Sequence, residues 1–170
     1  QINNRGTQAV DGTAISAVVK EGGTQIVNKG GLAKDTQVNS GGLQHVSLGG
    51  ASADAHLFGG TQQLAGNAGG TIIGDGGVQH VKTGGSASGS LINAGGLQRV
   101  DGTAKDTTIN DKGIQLVNSG GLADNTAVHS GGLQYIAQGG AASEGTVFGG
   151  GIQQDSGMAS GSSVTDGGSQ

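Results

Sequence analysis

The sequence predicts an all-β fold, a right-handed parallel β-helix (β-solenoid) of about nine rungs of 17–19 residues, with residues 1–170 forming a single repeat domain. Three observations carry this reading. Glutamine recurs at Gln8, Gln25, Gln44, Gln62, Gln79, Gln98, Gln115, Gln134, Gln153 and Gln170, about 17 to 19 residues apart. Whole lines recur too: "GGLAKDTQVNSGGLQHV" (30–46) returns ninety residues later as "GGLADNTAVHSGGLQYI" (120–136), with six changes. The third observation is composition: 39 glycines, no proline, no cysteine, 2% aromatics and a formal charge of only −4. So little charge argues against a disordered chain. The fold must therefore need little apolar core per residue.

Each rung opens with a segment whose second residue is the recurring Gln, preceded by Thr, Leu, Val, Ile or Ser. Two residues after the Gln comes an aliphatic: Val10, Val27, Val46, Leu64, Val81, Val100, Val117, Ile136, with Asp155 breaking the column. A glycine-rich turn follows ("NKGG", "SLGG", "KTGG", "NSGG"). Next is a segment of the form A-x-x-T-x-V, ending at Val19, Val38, Leu57, Ile73, Ile92, Ile109, Val128, Val147 and Val164. A further glycine pair closes the unit.

Alternation of apolar and polar residues over such short segments predicts strands with one buried face. β-Branched residues suit that pleated surface, and the glycine pairs supply positive φ at corners. A four-residue strand buries nothing alone; stacked on its own copies at about 4.8 Å per rung, it does. The rod would be on the order of 43 Å long, too thin for tryptophan. The glutamine column predicts a ladder in which each amide bonds the amides above and below; the alternative is a solvent-facing polar position. The third-position residues, Ala9, Ile26, His45, Gln63, His80, Arg99, Leu116, Tyr135 and Gln153, form an outward strip of variable character. The segment "DSGMASGSS" (155–163) predicts a looser last rung. The start, "INNRGTQAV", reads like the tail of "VNSGGLQHV", as in a piece of a longer chain.

Reactive constellations are not apparent. Mild acidity without a basic patch predicts no nucleic-acid partner, and no apolar run is long enough to span a membrane. Asp35, Asp54, Asp75, Asp106, Asp124 and Asp166 drift in phase and read as turn residues, not stacked catalytic acids. His45 and His80 share a position but lie two rungs apart, roughly 10 Å, too far for one metal ion. His56 and His129 read as surface residues. No Ser-His-Asp set recurs. "GGTIIGDGG" (69–77) fails the calcium nonapeptide at its fourth position. Thr36, Thr71, Thr107 and Thr126 form too broken a column for an ice-binding array. The expectation is no enzyme, metal or cofactor.

The units "GGLQxVxxGGxAxxTxVxxGG" resemble the passenger repeats of self-associating autotransporter adhesins, the AIDA-type family that includes the Tib adhesin and antigen forty-three. The resemblance spans about Ile2 to Gln170. It departs in the rungs shortened to about 17 residues (61–77 and 97–113) and in lacking signal and barrel regions. It implies a β-helix on the outside of a Gram-negative cell, exported through the outer membrane by a separate C-terminal barrel. It also implies adhesion to host cell surfaces, aggregation with identical passengers on neighbouring cells, biofilm formation and virulence. A cytoplasmic heptosyltransferase would place O-linked heptose on serines before export, making covalent sugar the only added group. The matching positions are Ser40 and Ser130 in "xSGGLQ" and Ser119 in "NSGG", with Ser47, Ser86, Ser88, Ser90 and Ser143 as weaker candidates. The alternative function is a passive stalk presenting another module. The structural ladder expected is Gln25, Gln44, Gln62, Gln79, Gln98, Gln115 and Gln134.

Overall fold

Each repeat contributes three short strands and three corners to a β-solenoid, seen in a computed structural model that describes residues 1–165 and 167–170. Asp166, read above as a turn residue, lies outside the described residues. The second rung is representative: Thr24–Val27, Leu32–Lys34 and Gln37–Asn39. Stacking nine such rungs makes three nine-stranded parallel sheets. The first runs from Thr7–Val10 to Ile152–Asp155, the second from Thr13–Ile15 to Met158–Ser160, the third from Val18–Val19 to Ser163–Val164. Like lies on like: Gln8 pairs with Gln25, Val10 with Val27, and Val19 with Val38.

Strand parity decides what is inside. In the first sheet the second and fourth residues of each strand point inward, the first and third outward. The interior thus takes Gln44 and Val46, while Leu43 and His45 sit half-buried on the outer face. Three further inward columns complete the lumen. The second sheet supplies small residues (Ala33, Ser52, Ala68, Ala87, Ala104, Ala123), the third sheet Val19 through Val147, and the corner between them a hydroxyl column. Val38, Leu57 and Ile73 are all 0% exposed. One alanine-sized position per rung keeps the lumen narrow enough for the glutamine amides to meet.

Those amides form a continuous ladder. Gln25 Nε2 donates to Gln8 Oε1 at 2.8 Å, and the chain of bonds continues through Gln44, Gln62, Gln79, Gln98, Gln115 and Gln134 to Gln153, each at 2.6–2.8 Å. Burying an amide without a partner is costly; here each amide's partner is another copy of itself, until the last rung, where Gln153 Oε1 has no partner among the described residues. Gln170 departs from the column and donates to Asp155 Oδ2 at 3.0 Å. A second set of donors reaches the same oxygens: Thr36, Thr71, Ser90, Thr107 and Thr126 each bond the glutamine of their own rung, at 3.2–3.5 Å. In the third rung Ala55 occupies that corner, and Ser52, in the alanine column, bonds Gln44 Oε1 instead. The threonines therefore face the lumen, which, more than their spacing, rules out an ice-binding surface.

The eighth rung has no such hydroxyl, because Gly145 takes the place of Thr126. A Cβ at Gly145 would meet Thr126 O at 3.2 Å, a tight contact that a shift of a few tenths of an ångström relieves, and Ser90 and Thr107 carry side chains at the same place in their own rungs. Gly145→Ser should therefore raise stability by about 1 kcal/mol, through a stiffer unfolded chain and a second bond to Gln134. The thermal midpoint should rise by roughly 2–4 °C; an unchanged or lower midpoint would contradict it.

Two kinds of corner turn the chain. Glycine pairs join the third sheet to the next rung's first sheet, except where Lys112, at φ 56°, stands before Gly113, and join the first sheet to the second in full-length rungs. In such a pair the first glycine holds positive φ (Gly120, 81°) and the second lies against the rung below. The corner between second and third sheets instead places single residues in the left-handed region, among them Asp35, Asp54, Asp106 and Asn125 at 51–53°. Asp and Asn tolerate that region better than most side chains. In the last rung Ile152, Met158 and Val164 are 48%, 72% and 43% exposed.

Candidate functional site: serine corners and the outer faces

With the lumen filled, the chemistry left to this chain lies on its outside. Ser40 and Ser130 each lead the turn between third and first sheets, and Ser119 leads the turn between first and second sheets. Each is exposed and each precedes a glycine of positive φ: Gly41 at 71°, Gly131 at 75° and Gly120 at 81°. The residue over each is also glycine; a Cβ at Gly59, Gly150 or Gly139 would stand 3.1–3.3 Å from the serine Cβ below. The hydroxyls of Ser40 and Ser130 therefore open to solvent beneath glycine backbone, whereas the exposed Gln138 holds the place of Ser119 one rung up; no strand pairing depends on any of the three.

The weaker candidates divide. Ser47 is half-buried just after its first-sheet strand. Ser86 and Ser88 point outward from one second-sheet strand, Ser86 half-buried and Ser88 exposed, with the Ser88 hydroxyl donating to Ala68 O at 3.5 Å. Ser143 is half-buried and donates to Asp124 Oδ1 at 2.7 Å. Ser90 requires correction as an acceptor: it is 1% exposed and its hydroxyl bonds Gln79 Oε1 inside the lumen. Its place in the threonine column, between Thr71 and Thr107, was the signal in the sequence.

The outer strip of the first sheet also needs one correction. Register places Gln154, not Gln153, beside Tyr135; Gln153 is buried in the ladder. The strip is bordered by a second outward column that sequence reasoning left unplaced: Leu43, Val78, Leu97, Ile114 and Leu133, all half-buried. The face is thus a mixed one, aliphatic along one column and polar or variable along the other. His45 and His80 are separated by Gln63 in the register, as two intervening steps require. Among the described residues no group of three His, Asp or Glu is placed to hold a metal ion.

Charge on these faces is paired locally. His80 bonds Asp101, which also accepts from Asn118 Nδ2 at 2.6 Å. The His80 bond, ahead of the Asn118 bond, holds the Asp101 carboxyl below its usual 3.8. On the second sheet Lys105 pairs with Asp124 at 2.9 Å, which lowers the aspartate and raises the lysine. A depressed folded value means that Asp101 adds stability above its unfolded pKa and loses it as pH falls through the folded value. Asp101→Asn should cost a few tenths of a kcal/mol at neutral pH, this being a partly exposed pair. Urea titrations at pH 7 and pH 2 test this: the gap between the two chains should close at pH 2, and an equal gap at both would contradict it.

No protein-family model matches the chain, and no curated protein matches it. Solved structures do. One is the crystal structure of a hyper-glycosylated TibA fragment, residues 55–350, whose glycosylation is catalysed by TibC. The two chains are 29% identical and superpose with a TM-score of 0.67, over 98% of this chain and 84% of that one. In sequence and fold the chain is similar to Tib- and AIDA-type passenger repeats.

Proposed function

We propose that this chain, built of Tib- and AIDA-type passenger repeats, is a rod of an adhesin passenger that carries O-linked sugar on corner serines. The observation that supports this best is the setting of Ser40, Ser119 and Ser130. They are exposed hydroxyls beneath glycines, in a chain 29% identical to a TibA fragment that TibC hyper-glycosylates. A bulky group there displaces no ladder bond. In the transfer, serine Oγ forms a bond to the anomeric carbon of an activated heptose. The bond to the donor's diphosphate breaks with its electron pair, and the hydroxyl proton passes to a base of the transferase. A heptosyltransferase acting in the cytoplasm before export is the partner this requires.

The same reading gives the rod its work at the cell surface, after export through a separate C-terminal barrel. Adhesion to host cells, aggregation with an identical passenger on a neighbouring cell, and biofilm growth all follow from many weak contacts along a rigid face. With the lumen filled, outer surface area is the means.

Intact-mass analysis of chain made with and without TibC tests the glycosylation. The reading expects added heptose masses, with peptide mapping placing them on Ser40, Ser119 and Ser130; identical masses would remove it. For adhesion, these repeats are deleted from the parent protein and cell aggregation is measured. Lost aggregation supports the adhesive rod, and aggregation that survives assigns the repeats the role of a passive stalk.

A further inference from the structure

We propose that Phe58 and Phe148 are platforms against which the sugars on Ser40 and Ser130 pack. This rests on the glycosylation reading above and adds the protein surface that would hold the sugar. The chain has only two phenylalanines and no tryptophan. Both phenylalanines stand one rung above a corner serine. Phe58 pairs in register with Asn39, the residue before Ser40. Phe148 lies over His129, the residue before Ser130, with ring centroids 4.7 Å apart and planes 2° from parallel. Where the turn is led by Glu21, Asp75 or Ala94, the matching place one rung up holds Asn39, Asn93 or Asn110. Phenylalanine appears in this column only beside the two serines.

Both rings are exposed, Phe58 by 49% and Phe148 by 37%. In a chain so short of aromatics, two exposed rings beside two candidate acceptors call for a physical role. Both hydroxyls approach the rung above, where a Cβ at Gly59 or Gly150 would stand 3.3 Å from Ser40 Oγ or 2.7 Å from Ser130 Oγ, so a sugar on either serine is directed over that rung. There it meets Gly59 or Gly150, which have no side chain, and beside the glycine turn the phenylalanine. His129 already covers one face of Phe148 and the Phe58 ring leans toward Gly74, so the sugar takes the remaining open face of each ring. The C–H bonds of a pyranose carry partial positive charge, and an aromatic face carries partial negative charge. A sugar packed there would lose motion and shield an apolar ring from water. Ser119, on the other edge, has Gly139 above it and Ala137 where the phenylalanine would be. With no aromatic ring beside it, its sugar serves as a control within the same molecule.

The test uses the full chain made with TibC, mapped by peptide mass and then studied by NMR. Sugar resonances at Ser40 and Ser130 should lie upfield of their positions in the same chain unfolded in urea, with cross-relaxation to the phenylalanine ring protons. The Ser119 sugar should not shift. Phe58→Leu with Phe148→Leu should remove the upfield shift while the mass map keeps both sugars. The native-chain comparison decides the matter even if that double variant folds poorly. Sugars present at Ser40 and Ser130 without shift or cross-relaxation would overturn the platforms and leave glycosylation standing. A mass map with both serines bare would overturn both.

Discussion

Gln98→Leu should lower stability by about 2–5 kcal/mol, although leucine nearly matches glutamine in volume and is far more apolar. Gln98 donates to Gln79 Oε1 at 2.6 Å and accepts from Gln115 Nε2 at 2.7 Å and Thr107 Oγ1 at 3.4 Å. The variant strands the Gln115 amide and the Thr107 hydroxyl, which are 0% and 1% exposed, each at roughly 1–3 kcal/mol. Gln79 Oε1 fares better, because Ser90 still bonds it at 3.2 Å. The transfer gain from one more apolar side chain, about 1.5–3 kcal/mol at most, does not offset two orphaned groups beside a broken chain of amides. Urea denaturation measures this, and an unchanged midpoint would mean that the ladder contributes nothing. The double variant Gln98→Leu with Gln115→Leu should cost less than the sum of the singles, since the orphan between the two sites disappears.

Gly121→Ala should cost about 3 kcal/mol or more, the upper end for overpacking. The added Cβ would stand 2.1 Å from Val100 O and 3.1 Å from Asn118 O, both of them backbone atoms that cannot rotate away. Relief requires lifting the corner off the rung below, which loosens the strands on either side. Its neighbour Gly120 separates space from conformation: nothing lies within 4 Å of a Cβ there, but φ is 81°. Gly120→Ala should therefore cost only about 1 kcal/mol, the left-handed penalty alone. Gly12→Ala, with open space and no positive φ, should be neutral or stabilising by a few tenths of a kcal/mol. Thermal midpoints that fall equally for all three would show that close stacking is not what selects glycine at Gly121.

The repeat, the strand type and the aliphatic columns were legible because period and alternation are properties of the sequence itself. Facing was harder. Leu43, Val78 and Leu97 look like core residues, yet they share parity with His45, His80 and Arg99 and point out. The glutamines share parity with Val46, Val81 and Val100, so that the aliphatic in the fourth position carries the amide inside with it. Hydrophobicity at one position misled where period-two geometry across the strand did not. The left-handed corner at Asp35, Asp54 and Asp106 was hidden for a different reason: aspartate in a turn is also an ordinary solvated residue, and only φ tells the two apart. Ser40 and Ser90 are the same residue in similar glycine-rich company. Alignment with Thr71 and Thr107 separates them, since a column of hydroxyls beside a column of glutamines is a buried pair. That Ser52 supplies the hydroxyl which the corner position lacks in the third rung, where it is Ala55, could be seen only once the two columns were known to face each other.

The central claim is that a column of glutamine side chains, not solvent, occupies the inside of the rod. Side-chain amide hydrogen exchange, read residue by residue by NMR, tests it most directly. The amides of Gln44, Gln62, Gln79, Gln98 and Gln115, all at 0% exposure, should exchange far more slowly than those of the exposed Gln37 and Gln138. Equal rates for the two groups would place the column in water and contradict the account.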